Sequence, residues 1–83
     1  MKAHVYVTLK RTVLDAQGQT VAGALRRMDY SGVADVRQGK YFLLTLEDSL
    51  AADTAQARRE VERIAREVLT NPVIEEFTYR IEE

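Results

Sequence analysis

The sequence has no cysteine, no tryptophan, one proline and one histidine among its 83 residues. Without cysteine there is no disulfide to staple the fold and no thiolate for a metal. A lone histidine, His4, leaves the usual zinc ligand sets out of reach. No apolar run approaches the roughly 18–20 residues that span a bilayer, so no membrane partner is expected. The opening MKAHVYVTLK has neither the apolar stretch nor the small-residue cleavage site of a signal peptide. A cytoplasmic location is the expectation. A charge excess of either sign is missing too: 12 basic and 13 acidic side chains leave a formal net charge of −1. Nucleic-acid binders draw much of their affinity from phosphate neutralisation, so nucleic acid is not an expected partner.

What is present is patterning. Residues 3–9 alternate, with Ala3, Val5, Val7 and Leu9 on one side and His4, Tyr6 and Thr8 on the other, the period of a strand. Asp15 stands as a helix N-cap, and Val21, Ala24, Leu25 and Met28 recur at helical spacing, predicting a helix from Ala16 to about Asp29. Tyr30-Ser31-Gly32 ends it. Val33 to Gln38 reads as a short strand, Gln38-Gly39 as a turn, and Tyr41 to Glu47 as the second arm of a hairpin. In that arm Tyr41 and Leu43 face one way and Phe42, Leu44 and Leu46 the other. Asp53 or Thr54 caps a second helix with the stripe Ala57, Val61, Ile64, Ala65 and Val68. Asn71-Pro72 stops it, because a residue before proline avoids helical geometry. Ile74 to Glu82 is the last strand, with Phe77, Tyr79 and Ile81 on one face.

The order β-α-β-β-α-β, uninterrupted by linker or repeat, predicts one domain over residues 1–83. Its class is α+β: a two-layer ferredoxin-like sandwich with a four-stranded antiparallel sheet. Both helices then cover one face and leave the other open. His4, Tyr6, Tyr41 and Leu43 lie on that open face and form the candidate dimer face. A second copy of the sheet is an economical cover for a domain small enough to be marginally stable.

Chemistry is harder to find. The two serines, Ser31 and Ser49, lie in turn contexts, and no G-x-S-x-G elbow surrounds either. Asp15 has a structural use as a cap. Glu75-Glu76 and Glu82-Glu83 read as solvated surface charge. Gly18, in D-A-Q-G-Q, matches neither phosphate-loop pattern. Arg58, Arg59, Arg63 and Arg66 interleave with Glu60, Glu62 and Glu67, the pattern of a solvated helix face. RNA-recognition modules share the element order, and Tyr6 and Tyr41 occupy their stacking places. The third strand has Leu43 where those modules carry a second aromatic. No catalytic residue and no metal or cofactor bound by this chain are expected.

Three stretches carry a resemblance: Val13-Leu14-Asp15-Ala16-Gln17-Gly18, Asp35-Val36-Arg37-Gln38-Gly39-Lys40-Tyr41, and Leu69-Thr70-Asn71-Pro72-Val73-Ile74-Glu75. With Val7–Lys10 and the acidic ending, they resemble the small PurS-type subunit of phosphoribosylformylglycinamidine synthase along the whole chain. The resemblance implies a non-catalytic subunit in de novo purine biosynthesis. The complete enzyme converts formylglycinamide ribonucleotide to its amidine with ATP, magnesium and ammonia from glutamine. The implied partners are a large synthetase subunit, a glutaminase subunit and further copies of the same chain, as a homodimer or homotetramer. The subunit's implied work is to bring the other two together for ammonia transfer. Many family members carry proline where Ala16 stands, so the start of the first helix loses one constraint here. The candidate partner-binding residues are Asp15, Gln17, Arg37, Lys40 and Asn71. Arg37 leads them, because a guanidinium on a short strand has little core duty. The alternative is a dimeric ACT-like regulatory module that binds a small molecule. It would carry a glycine-rich loop after the first strand, where this chain has Lys10-Arg11-Thr12-Val13.

Overall fold

A computed structural model describes residues 1–83 and contains three strands, not four. β1 (Lys2–Leu9) is central, flanked antiparallel by β2 (Gly39–Thr45) and β3 (Glu75–Glu82), in the order β2-β1-β3. Helix α1 (Ala16–Arg27) follows β1, and the short α2 (Asp48–Ala51) and α3 (Thr54–Ile64) lie between β2 and β3. A five-residue π segment, Ala65–Leu69, prolongs α3.

The core is the inward face of β1. Ala3, Val5 and Val7 are fully buried against Val61 and Ala65. The register sets Val5 between Phe42 and Tyr79, and Ala3 between Leu44 and Ile81, so the alternation read from all three strands is realised in one face. Phe42, Leu44 and Leu46 from the β2 side and Phe77, Tyr79 and Ile81 from β3 rim this core and are only half-buried.

Both long helices are capped as their sequences foretell. The Asp15 carboxylate accepts from the Gly18 N–H at 2.9 Å, and that of Asp53 from the Gln56 N–H at 3.2 Å. At the other end of α1, Asp29 takes φ 69°. The Tyr30 N–H then reaches Leu25 O and the Asp29 N–H reaches Arg26 O, the paired bonds of a Schellman ending. Where α3 runs into the π segment, Glu62 meets Arg66 at 2.8 Å, an i,i+4 pair.

The strand expected over 33–38 does not form, which corrects both the hairpin and the four-stranded sheet. Its backbone is drawn elsewhere: the Gln38 N–H donates to the Asp15 carboxylate at 2.7 Å, and the Arg37 side chain reaches the loop after β1. Gln38-Gly39 is therefore not a hairpin turn. β2 starts at Gly39, where a Cβ would meet Val7 O at 2.5 Å. α1 forms no packed interface with the sheet or α3, and the molecule extends over 50 × 26 × 14 Å.

Candidate functional site

The three stretches singled out in the sequence meet at one end of the sheet. Asp15 is their centre. It is 96% shielded from solvent, and its two carboxylate oxygens accept from separate segments, Gly18 in its own helix and Gln38 across the cleft. Those two N–H donors, the Gln38 one foremost, hold its carboxyl below the ordinary carboxylate range, and nearby Arg37 adds to the effect. Gly18 is required here by close approach: a Cβ at that position would collide with Val36 O and with Asp15 Oδ2.

Arg37 turns its guanidinium back onto the chain. Its Nη2 donates to the carbonyls of Leu9, Lys10 and Val13 at 3.3, 3.0 and 3.4 Å. The expectation that Arg37 has little intramolecular duty is thereby corrected, because it ties segment 33–38 to the exit of β1. Lys40, the first charged residue of β2, pairs with Glu75 of β3 at 3.1 Å. Glu75 also accepts the Asn71 N–H at 2.8 Å, and that bond, followed by Lys40, lowers its pKa. Asn71 accepts the Val73 N–H on its own side-chain oxygen at 3.1 Å, the Asx turn that carries the chain past Pro72. Between these segments lies an open cleft of about 230 Å³, lined by Asp15, Gln17, Gln38, Lys40 and Glu75 among others. Gln17 stands exposed at its rim.

The structure thus brings Asp15, Gln17 and Lys40 to one cleft, with Arg37 and Asn71 bracing its walls. Sequence reasoning missed Glu75, read as solvated charge, and the role of Gln38, read as a turn residue. The signal for Glu75 was its place four residues after Asn71, within reach of that residue's backbone N–H. No three His, Asp or Glu side chains gather as a metal site.

The opposite face of the sheet groups the other predicted residues. Tyr6 sits directly across from Tyr41 and His4 from Leu43. The Tyr6 and Tyr41 rings stack at 5.4 Å, and the Tyr41 ring stacks on His4 at 5.8 Å. His4 Nδ1 and the Tyr41 hydroxyl share a hydrogen bond of 2.6 Å, and His4 Nε2 lies 3.4 Å from Glu82. Tyr6, Tyr41 and Leu43 are each about half exposed.

Comparison with known proteins converges on one family. Residues 2–83 match the family model "PurS: Phosphoribosylformylglycinamidine (FGAM) synthase". The PurS subunit of phosphoribosylformylglycinamidine synthase from Mycobacterium leprae is 43% identical over 77 residues, which cover 93% of this chain and 90% of that one. The solved structure of Bacillus subtilis PurS superposes with a TM-score of 0.80 at 43% identity, covering 99% of this chain and 98% of that one. A chain in the structure of PurLQS from Thermotoga maritima superposes with a TM-score of 0.76 at 28% identity, over 95% of this chain and 93% of that one.

Proposed function

The chain belongs to the PurS family of phosphoribosylformylglycinamidine synthase, and from that premise we propose that its work is to join the other subunits of that enzyme. It is an accessory subunit of the synthase and serves purine biosynthesis. The single observation that carries this is the family match running from residue 2 to residue 83. A chain of similar fold occurs in the PurLQS of Thermotoga maritima, and that structure supports an assembly role.

The finer reading is as follows. A large synthetase subunit uses ATP and magnesium, a glutaminase subunit releases ammonia from glutamine, and this chain holds the two so that ammonia reaches formylglycinamide ribonucleotide. It works in the cytoplasm. The cleft with Asp15, Gln17 and Lys40, braced by Arg37 and Asn71, is the surface offered to a partner. Its supports are that the three stretches named for the resemblance meet there, and that exposed Gln17 and Lys40 present polar groups at its rim. The aromatic face of His4, Tyr6, Tyr41 and Leu43 is the surface offered to another copy of the chain. Exposed, mutually stacked tyrosines on a hydrogen-bonded sheet are economical anchors for such a contact, since little side-chain freedom remains to be lost.

The test is reconstitution. The synthetase and glutaminase are mixed with and without this chain, with glutamine, ATP and magnesium, and amidine formation is followed. Glutamine-dependent activity is expected only when the chain is present. Equal rates without it would remove the assembly role.

A further inference from the structure

Beside the cleft of Asp15 and Lys40 lies a second cavity. It is an open notch of about 170 Å³ lined by Thr8, Leu9, Arg11, Arg37 and Glu76. The two cavities share Leu9 at the end of β1. Thr8 stands two residues beyond Tyr6 on the same side of β1, and Glu76 is its neighbour on β3. The notch therefore lies at the end of the sheet, on the side of the exposed tyrosines.

Two guanidinium groups meet one carboxylate there, and none of the three makes an ion pair. The ion pairs of the chain engage His4, Lys40, Arg63, Arg66 and Arg80. The carboxylates of the neighbouring cleft are already matched, Asp15 by two backbone N–H groups and Glu75 by Lys40. The side chains of the notch thus leave one surplus positive charge, in a chain whose formal net charge is −1.

Arg37 is also prepared to bind. Its Nη2 alone makes the three bonds to the carbonyls of Leu9, Lys10 and Val13, while Nε and Nη1 make none within the chain. The group is held in place with donors to spare. A guanidinium offers its donors as a planar fork that fits the two oxygens of a carboxylate. Fixing it beforehand removes the ordering cost that a free arginine meets on binding. Arg11 is exposed in the turn after β1 and lines the same notch.

We propose that this notch binds a carboxylate side chain, an aspartate or glutamate of a partner subunit, through Arg37 and Arg11. The inference rests on the assembly role proposed above and names the chemistry of a contact beside the cleft. Glu76 decides among anions. A phosphate group brings up to about two negative charges near neutral pH and would face Glu76 with one surplus positive charge to balance it. A carboxylate brings one. Nucleic acid needs a run of cations, and the chain has no basic excess. Glu76 penalises every anion and a dianion most, so it acts as a selectivity element.

The test titrates the whole chain into the mixed synthetase and glutaminase with glutamine, ATP and magnesium, and reads the concentration that gives half the full rate of amidine formation. Arg11→Gln is the main variant, since Arg11 has no bond within the chain to lose, and Arg37 is kept because it braces the fold. Arg11→Gln is expected to raise the half-saturating concentration about tenfold, with the same full rate. Its dependence on salt, between about 50 and 300 mM, should become shallower. Glu76→Gln is expected to lower the half-saturating concentration about threefold. Opposite shifts from two surface changes in one notch are not what a general loss of stability produces. Unchanged values in both variants would overturn the notch and leave the assembly role standing. No gain in rate from the wild-type chain would overturn both. Weaker self-association of Arg11→Gln in sedimentation equilibrium would give the carboxylate to a second copy and overturn the proposal. Inorganic phosphate that displaces the chain better than chloride at equal ionic strength would also overturn it, in favour of a phosphate ligand.

Discussion

At the scale of single residues, the buried carboxylate of Asp15 joins two segments 23 positions apart. Its cap on α1 was readable, because an aspartate three residues before a free helical N–H has a known use. Its bond to Gln38 was not, because no local pattern announces a partner so distant. The same bond makes acid stability a direct probe. The N–H groups of Gln38 and then Gly18 hold the Asp15 carboxyl below its ordinary range, and that of Asn71, followed by Lys40, does the same for Glu75. A carboxyl whose folded pKa lies below its unfolded one contributes fully above the unfolded value, near pH 4, and loses that contribution as pH falls through the folded value. The melting temperature is therefore expected to fall between about pH 5 and pH 2. Asp15→Asn should lower it at pH 7 and flatten that acid slope, as thermal melts across the range would read. An unchanged slope in the variant would show that Asp15 is not the linked group.

At the scale of elements, the periodic segments declared themselves and the tethered one did not. β1, α1, α3 and β3 lie within a few residues of where alternation, caps and the Asn71-Pro72 stop place them. Residues 33–38 carry a strand's pattern, but the Gln38 N–H is committed to Asp15 and the Arg37 guanidinium to the β1 exit, so tertiary contacts override local preference. The π segment at 65–69 had no signal at all; the apolar stripe runs through it at helical spacing. α3 carries the core through Val61, so its start is an efficient place to perturb the fold. Asp53→Ala removes the acceptor of the Gln56 N–H and is expected to cost about 1 kcal/mol in urea unfolding, with an unchanged m-value. A loss indistinguishable from zero would mean that water replaces the cap without penalty.

At the scale of the whole molecule, the sequence foretold a sheet with one covered and one open face, and His4, Tyr6, Tyr41 and Leu43 do share the open one. It could not foretell that α1 would stand away from the sheet, since its amphipathic stripe is the same whether it meets its own chain or another. Only ten residues are buried, too few for a chain of this length to rest on its own core. If association completes the core, folding and assembly are one equilibrium, and stability must depend on protein concentration. The size of the effect follows from the enthalpy. At about 0.7 kcal/mol per residue, two chains unfold with roughly 115 kcal/mol. A tenfold rise in concentration should then raise the melting temperature by about 4 °C. Calorimetric scans over a hundredfold range would show a shift of about twice that. A melting temperature independent of concentration would mean that the single chain is stable as it stands, with α1 and its aromatic face in water.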